Sequence, residues 1–513
     1  MPSAHLPPTS PPERSLSALL ARVAQSHPER CALRWCDPAL HKLPALELTF
    51  AQLAAQAQAT AHHLHAAHGI AAGDRVVWLG LNHPAQIVLL FALARLGAML
   101  VPLNHRLVAA EWQAVLNDCS PRLLVHGDTF AGEAQALAQL TGLPAIAANA
   151  FPSNPTATAS DPAPGDAWNT PALLVYTSGT TGRPKAAAHT QGNLLSNMAI
   201  AAQAQGLSER DTVLTVLPLF HVGGLCIQTL PALSSGAAVL LHARFDAGAT
   251  LDAIETERPS LTLQVPATLK ALYEHPRWSN ADLSSLRAVW AGSSILPNAA
   301  LSGFHQRGIP VCNVYGSTET GPFSIALPPE QAQSHAGTCG WPAAGVEVKL
   351  CDALGEAVAP GEVGEICIRA PNVAQRYWPD LPAVDSEGFF HSGDLGLQAG
   401  DGSFTVVGRA KDMIISGGEN IYPAEIENAL LAHPGVSECA VVALADPRWG
   451  EVAVAVVVLA PEAERGESWA APLQAHLNER LARYKQPRRW LCVETLPKTA
   501  LGKVQKAALK ALL

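Results

Sequence analysis

Residues 74–126 read DRVVWLGLNHPAQIVLLFALARLGAMLVPLNHRLVAAEWQAVLNDCSPRLLVH, in which short β-rich apolar runs alternate with segments of helical period. Such alternation leaves few solutions, because strands joined through a helix run the same way and must be covered on both faces. The segment therefore predicts β-α-β units and a largely parallel sheet. Further runs, DTVLTVLPL, AAVLLH, LTLQVP, LRAVWAG and VCNVYG, predict five more strands within residues 211–316. Residues 345–370, GVEVKLCDALGEAVAPGEVGEICIRA, alternate strand-like runs with Gly-centred turns, as a small antiparallel β-barrel requires.

The last hundred residues change character. AEIENALLAHPGV, ECAVVALAD, EVAVAVVVLA, PLQAHLNERLARY and RRWLCVETLP give helix, strand, strand, helix, strand. The expected class is α/β: a large N-terminal domain of β/α subdomains plus the barrel over residues 1–410, then a small α+β domain over 411–513. A chain of 513 residues exceeds what one hydrophobic core organises, so several units are expected on length alone. Residues 151–170, FPSNPTATASDPAPGDAWNT, fit neither period and read as a surface loop. No repeat of fixed period is present.

Charge narrows the function. With 34 Lys+Arg against 43 Asp+Glu, the chain has no general attraction for nucleic acid or anionic lipid, so any phosphate site must be local. The longest apolar stretch, IVLLFALARLGAMLVPL, is interrupted by Arg95, Gly97 and Pro102 and reads as a buried helix and strand rather than a membrane span. The start, MPSAHLPPTSPPERS, has no apolar core of a signal peptide. Ten cysteines without any C-x-x-C pair read as free thiols of a reducing compartment, and a cytoplasmic location is expected.

A local phosphate site is offered by residues 174–190, LVYTSGTTGRPKAAAHT, where a short strand runs into a turn rich in glycine and hydroxyls. Gly179 and Gly182 allow close backbone approach, while Thr177, Ser178, Thr180 and Thr181 can donate to phosphate oxygens and Lys185 adds a cation. The spacing is not G-x-x-x-x-G-K-[ST], since Lys185 does not follow the second glycine directly.

This run resembles the phosphate-binding signature of the adenylate-forming superfamily, which includes acyl- and aryl-CoA synthetases. Six further stretches follow in the family's order: PLFHVGG (218–224), WAGSS (290–294), VYGSTETG (314–321), HSGDLG (391–396), GRAKDMIISGGENIYPAEIE (408–427) and PKTALGKVQK (497–506). The resemblance implies that a carboxylate attacks the α-phosphate of ATP, giving an acyl adenylate that then passes to a thiol. Two anions must meet, so positioned cations and donors should dominate catalysis. On the family's pattern Glu319 holds Mg²⁺ with Thr318 as a phosphate donor; Ser293, Ser294, Tyr315 and Gly316 lie at adenine; Asp394 and Arg409 lie at the ribose. Lys503 bridges the reacting groups, and Lys411 is the hinge on which a mobile C-terminal domain swings between the two half-reactions. Gly417 and Gly418 line the path of coenzyme A, whose phosphates have Arg448, Lys485 and Arg488 as candidate partners. The family usually has glycine where Ala186 stands, and a positive φ there would strain alanine by about 1 kcal/mol.

His221 in PLFHVGG resembles the gate beside the carboxylate channel. Residues 222–241, VGGLCIQTLPALSSGAAVLL, carry no charge, so nothing there would pair with the ammonium of an amino acid or with a second carboxylate. The expected substrate is an apolar monocarboxylic acid, with a fatty acid as the first expectation. An aryl acid, benzoate-like or o-succinylbenzoate-like, is the alternative, as is a carrier-protein thiol in place of CoA. The expected partners are therefore the acid, ATP, Mg²⁺ and CoA, with no nucleic acid; a homodimer stays open.

Overall fold

In the computed structural model the described residues are 11, 13–37, 39, 46–152, 166–178, 184–292, 298–416, 419–463, 465–466, 468–498 and 504–513. The β-α-β expectation is met by an 8-stranded sheet whose parallel part orders Pro171–Ser178, Met99–Pro102, Arg75–Leu79, Leu123–His126 and Ala145–Ala147 side by side. The apolar stretch forms the helix Pro84–Leu96, capped by the His83 side chain and closed by Gly97 at φ 70°, and it is buried on nearly all faces. Burial all round explains its lack of amphipathic pattern. No helix among the described residues is long and apolar enough to cross a membrane.

The five strands expected within 211–316 lie adjacent and parallel in a second, 9-stranded sheet: Val311–Tyr315, Ala288–Gly292, Leu261–Gln264, Thr212–Thr215 and Ala238–His242. One continuous apolar core links elements of both sheets. The segment 345–370 contributes Glu347–Cys351 and Val363–Arg369 to a four-stranded antiparallel sheet completed by Phe390–Gln398 and Phe404–Arg409. In strand pairing this sheet is open, with a Gly340–Phe404 bridge tying its last strand to the second sheet's end. Beyond residue 413 the chain builds its own sheet around Val436–Asp446 and Gly450–Leu459, packed by the helices Pro423–Leu431 and Ala470–Asn478 over a separate apolar cluster. A hydrogen bond from Lys270 Nζ to Ser437 Oγ, 3.1 Å, connects the second sheet's layer to this last unit.

The strand entering the phosphate-loop sequence, Pro171–Ser178, is followed by a return strand, Pro184–Thr190, that the sequence did not announce. The two pair antiparallel, with Thr177 opposite Lys185 and Tyr176 opposite Ala186. Ala186 is a fully buried strand residue and is not among the non-glycine residues with positive φ, so the anticipated strain is absent. All ten cysteines are free, six of them buried and Cys492 exposed.

Candidate active site

The hairpin leads into the helix Gln191–Gln205, started by a capping box between Thr190 and Asn193. Because this helix is buried, its amides bond to backbone rather than water. Asn193 Nδ2 donates to the carbonyls of Pro371 and Val373, and Asn197 Nδ2 donates to the Cys226 carbonyl at 2.7 Å. Asn197 Oδ1 accepts from the Phe323 amide at 3.3 Å, so one side chain ties the uncharged 222–241 segment to the loop after Thr318 and Glu319. Asn372, fully buried, donates to the carbonyls of Thr320 and Phe323 from the other side.

The loop itself is tightly built. A Cβ on Gly316 would meet the Pro322 carbonyl oxygen at 1.8 Å, so no larger residue fits without moving the backbone. The Ser317 amide donates to Thr320 Oγ1, closing the turn that presents Thr318 and Glu319. His189, wholly buried in the return strand, shares a 2.9 Å hydrogen bond with the Thr318 carbonyl, and burial lowers its pKa to about 4. It is neutral at pH 7, with Nε2 carrying the proton that the carbonyl accepts.

Two clusters flank this loop. At its start, the Tyr315 hydroxyl donates to Asp394 Oδ2 at 2.9 Å, and Arg409 Nε lies 2.8 Å from Asp394 Oδ1. The open antiparallel sheet causes the meeting, for Asp394 and Arg409 are direct partners across neighbouring strands. Burial, then the Asp394 charge, raises the Tyr315 pKa well above that of an ordinary phenol, so it stays a donor. At the loop's far end, the Tyr377 hydroxyl donates to Glu319 Oε1 at 2.9 Å, and Lys185 Nζ stands 5.5 Å over the Tyr377 ring. Tyr377 reaches this point because its two-residue strand pairs with the return strand opposite Ala187. Burial and the Glu319 carboxylate push its hydroxyl pKa upward too.

Thus Lys185, Thr318, Glu319, Tyr315, Gly316, Asp394 and Arg409 gather on one loop and its two flanks. Thr177 Oγ1 donates to the Lys185 carbonyl at 3.3 Å, and Ser178 ends its strand. His221 caps the short helix Val222–Gly224, its Nδ1 accepting from the Gly223 amide at 3.0 Å. Lys411 lies exposed in the single turn Ala410–Asp412, between the antiparallel sheet and the last unit. Gly179, Thr180, Thr181, Gly182, Ser293, Ser294, Gly417, Gly418 and Lys503 fall outside the described residues. The flanks of Lys503 are nonetheless held: Lys498 bridges Val504, Lys498 pairs with Glu438 at 2.7 Å and Lys506 with Glu427 at 2.8 Å. Of the three basic candidates, Lys485 is engaged by Glu425 at 2.7 Å, while Arg448 and Arg488 both stack on Trp449.

Residues 20–378 match the family model described as AMP-binding enzyme, and residues 425–503 match the AMP-binding enzyme C-terminal domain. This chain belongs to the AMP-binding enzyme family. It is 44% identical over 506 residues to an indoleacetate–CoA ligase of Aromatoleum aromaticum, covering 96% of each chain. It is 42% identical over 468 residues to a feruloyl-CoA synthase of Amycolatopsis, covering 90% of this chain and 93% of that one. Among solved structures, the o-succinylbenzoate coenzyme A synthetase of Bacillus subtilis in complex with ATP and magnesium ion superposes with a TM-score of 0.84 at 32% identity. That match covers 96% of this AMP-binding enzyme and 99% of the synthetase.

The sequence reading had missed Tyr377, His189, Asn197 and Asn372. Three of them act through backbone carbonyls or amides, which leave no mark on side-chain spacing. Only the helix cap Thr190–Asn193 could have indicated that the next turn of helix, at Asn197, faces the site.

Proposed function

We propose that this AMP-binding enzyme is an acid–thiol ligase that activates an apolar aryl monocarboxylic acid with ATP and transfers it to coenzyme A. The observation that carries the reading is Asn197, which fastens the uncharged wall at Cys226 to the Thr318–Phe323 loop beside Glu319 and Lys185. An acid lying along that wall would place its carboxylate among phosphate-binding groups and its apolar body against residues with no charge to satisfy. The aryl preference, over the fatty acid expected first, rests on the indoleacetate and feruloyl relatives at 44% and 42% identity.

Within this proposal residues 1–410 form the adenylation domain and 411–513 the mobile one, joined at Lys411. The hydroxyls and glycines from Thr177 to Gly182, with Lys185, grip the ATP phosphates. Asp394 keeps lone pairs beyond those used by Tyr315 and Arg409, enough to accept from ribose hydroxyls. Tyr315, Gly316, Ser293 and Ser294 border the base. Glu319 fits magnesium, because the Tyr377 phenol occupies one lone pair of its Oε1 and the remaining carboxylate lone pairs are hard oxygen ligands. When bound there, magnesium supplies neutralisation of phosphate charge. Lys503 brings its ammonium between carboxylate and phosphate; His221 borders the acid; Gly417 and Gly418 give passage to pantetheine. Arg448 and Arg488, each stacked on Trp449, suit CoA phosphates better than Lys485, whose charge is already met.

The deciding experiment measures pyrophosphate exchange and thioester formation over a panel of indoleacetate, ferulate, benzoate, o-succinylbenzoate and saturated fatty acids. Aryl acids are expected to exceed the fatty acids at least tenfold in kcat/KM. A fatty-acid preference would overturn the aryl assignment and leave the ligase reading standing. Transfer to a loaded carrier protein instead of CoA would overturn the acceptor.

A further inference from the structure

The outer face of the open antiparallel sheet carries a second cluster of chemistry-bearing side chains, separate from those assigned above. Cys367 and His391 are direct cross-strand partners, and Glu365, two residues before Cys367 on the same strand, shares its face, with the irregularity in the pairing falling between the two. His391 Nδ1 lies 3.0 Å from Glu365 Oε2 and 3.5 Å from Cys367 Sγ, and one ligand atom from each of the three residues falls within 4.8 Å of the others.

We propose that Glu365, Cys367 and His391 form a site for a zinc-class divalent cation, with water or another exogenous ligand in the fourth position. A tetrahedral zinc with bonds of about 2.3 Å to sulfur and about 2.0 Å to nitrogen and oxygen puts sulfur and nitrogen about 3.5 Å apart, and nitrogen and oxygen about 3.3 Å apart. The two separations from His391 Nδ1, 3.0 Å to Glu365 Oε2 and 3.5 Å to Cys367 Sγ, already lie close to those edges, and the ligand atoms of all three residues lie within 4.8 Å of one another. Thiolate, imidazole and carboxylate together select zinc over magnesium or calcium, which take oxygen ligands.

Each ligand is also held from behind. Asp385 Oδ2 lies 3.2 Å from His391 Nε2, and its Oδ1 accepts from the amides of Glu387 and Phe389, so that carboxylate is fixed. A proton on Nε2, shared with Asp385, leaves the Nδ1 lone pair pointing at Glu365 and Cys367, the arrangement in which carboxylates orient metal-binding histidines. Glu365 Oε1 accepts from the Gly393 amide at 2.8 Å, leaving Oε2 for the cation. Cys367 is fully buried against Cys351 and Phe389, whereas His391 is 39% exposed, so an ion would enter from the histidine side. Lys349, opposite Cys367 in the strand pairing, is drawn to Glu387 at 3.1 Å and over the Phe389 ring at 4.1 Å. Binding replaces the thiol proton by the metal, and any second proton on the imidazole leaves with it.

The test uses the full-length enzyme, stripped with a chelator and titrated with Co²⁺, then with Zn²⁺ in competition. The expected result is one Co²⁺ per chain with a thiolate charge-transfer band in the near ultraviolet, lost on adding Zn²⁺. Cys367→Ser should abolish the band and Cys351→Ser should keep it. Asp385→Asn, which removes only the orienting carboxylate, should weaken Zn²⁺ binding about 10- to 100-fold. Should Cys367→Ser fail to fold, His391→Gln with the thiol intact gives the same decision through loss of stoichiometric binding. Absence of a stoichiometric site in the parent enzyme, or a band that survives both Cys367→Ser and His391→Gln, overturns the proposal.

Discussion

Tyr377 donates its hydroxyl to the Glu319 carboxylate while its ring lies beneath the Lys185 ammonium, so one aromatic joins the acid and the base of the site. Tyr377→Phe keeps the ring and the cation–π contact but removes the donor from an ionised acceptor. A hydrogen bond to a charged group contributes about 1.5–3 kcal/mol, and part of this loss should appear as lowered stability in urea. In kinetics, KM for magnesium–ATP should rise several-fold while KM for the acid stays near its original value. A change confined to the acid would show that Glu319 does not face the nucleotide.

Asp394 is held by two donors from different strands, and they are not equivalent. Arg409 is nearly half exposed, so water can replace much of its contribution, whereas Tyr315 is partly buried and packed against the apolar core. Tyr315→Phe should therefore weaken nucleotide binding more than Arg409→Gln does, and Asp394→Asn should weaken it most, by tenfold or more in KM for ATP. Isothermal titration with AMP checks the order. An unchanged AMP affinity in Asp394→Asn would remove the ribose assignment.

The β/α organisation was legible because strands such as Ala288–Gly292 are short, apolar on both faces and separated by helical-period segments. The return strand Pro184–Thr190 was not, because PKAAAHT holds three alanines in a row, a composition that local propensity assigns to helix. Tertiary pairing overrides propensity there: Ala186, Ala187 and Ala188 are clamped between the strand before them and the segment carrying Arg376 and Tyr377. That pairing also explains why Tyr377 could not be foreseen, since a two-residue strand about 190 residues away has no period to detect. Asp394 and Arg409 were named from motifs, and their direct opposition is a matter of register that the motifs do not contain.

Acid should destabilise this fold before its carboxylates titrate. His105, His189 and His242 are each held at about 4 by burial, against about 6.5 in the unfolded chain. Between those values the unfolded state binds protons that the native state refuses, so stability is full above about pH 6.5 and falls as the pH drops toward 4. For His189, wholly enclosed, the slope approaches about 1.4 kcal/mol per pH unit in that window. Urea midpoints at pH 7 and pH 5 should differ markedly in the parent enzyme and less in His189→Gln. Equal differences in the two proteins would mean that His189 is protonated in the native state.

The two-step reading is tested where the proposed roles separate. Lys503 is assigned to the first half-reaction alone, so Lys503→Ala should reduce adenylate formation by several orders of magnitude, read as pyrophosphate exchange. Thioester formation from a supplied aryl adenylate and CoA should stay within a few-fold of the parent, because the thiol attacks without that ammonium. Arg488→Ala should behave oppositely, leaving exchange intact and raising KM for CoA, since its guanidinium stacks on Trp449 in the last unit, away from Glu319 and Lys185 in sequence and in contacts. Losses shared equally by both half-reactions in Lys503→Ala would place that lysine in the fold of the terminal unit, alongside the ion pairs of Lys498 and Lys506 that flank it, rather than at the reacting atoms.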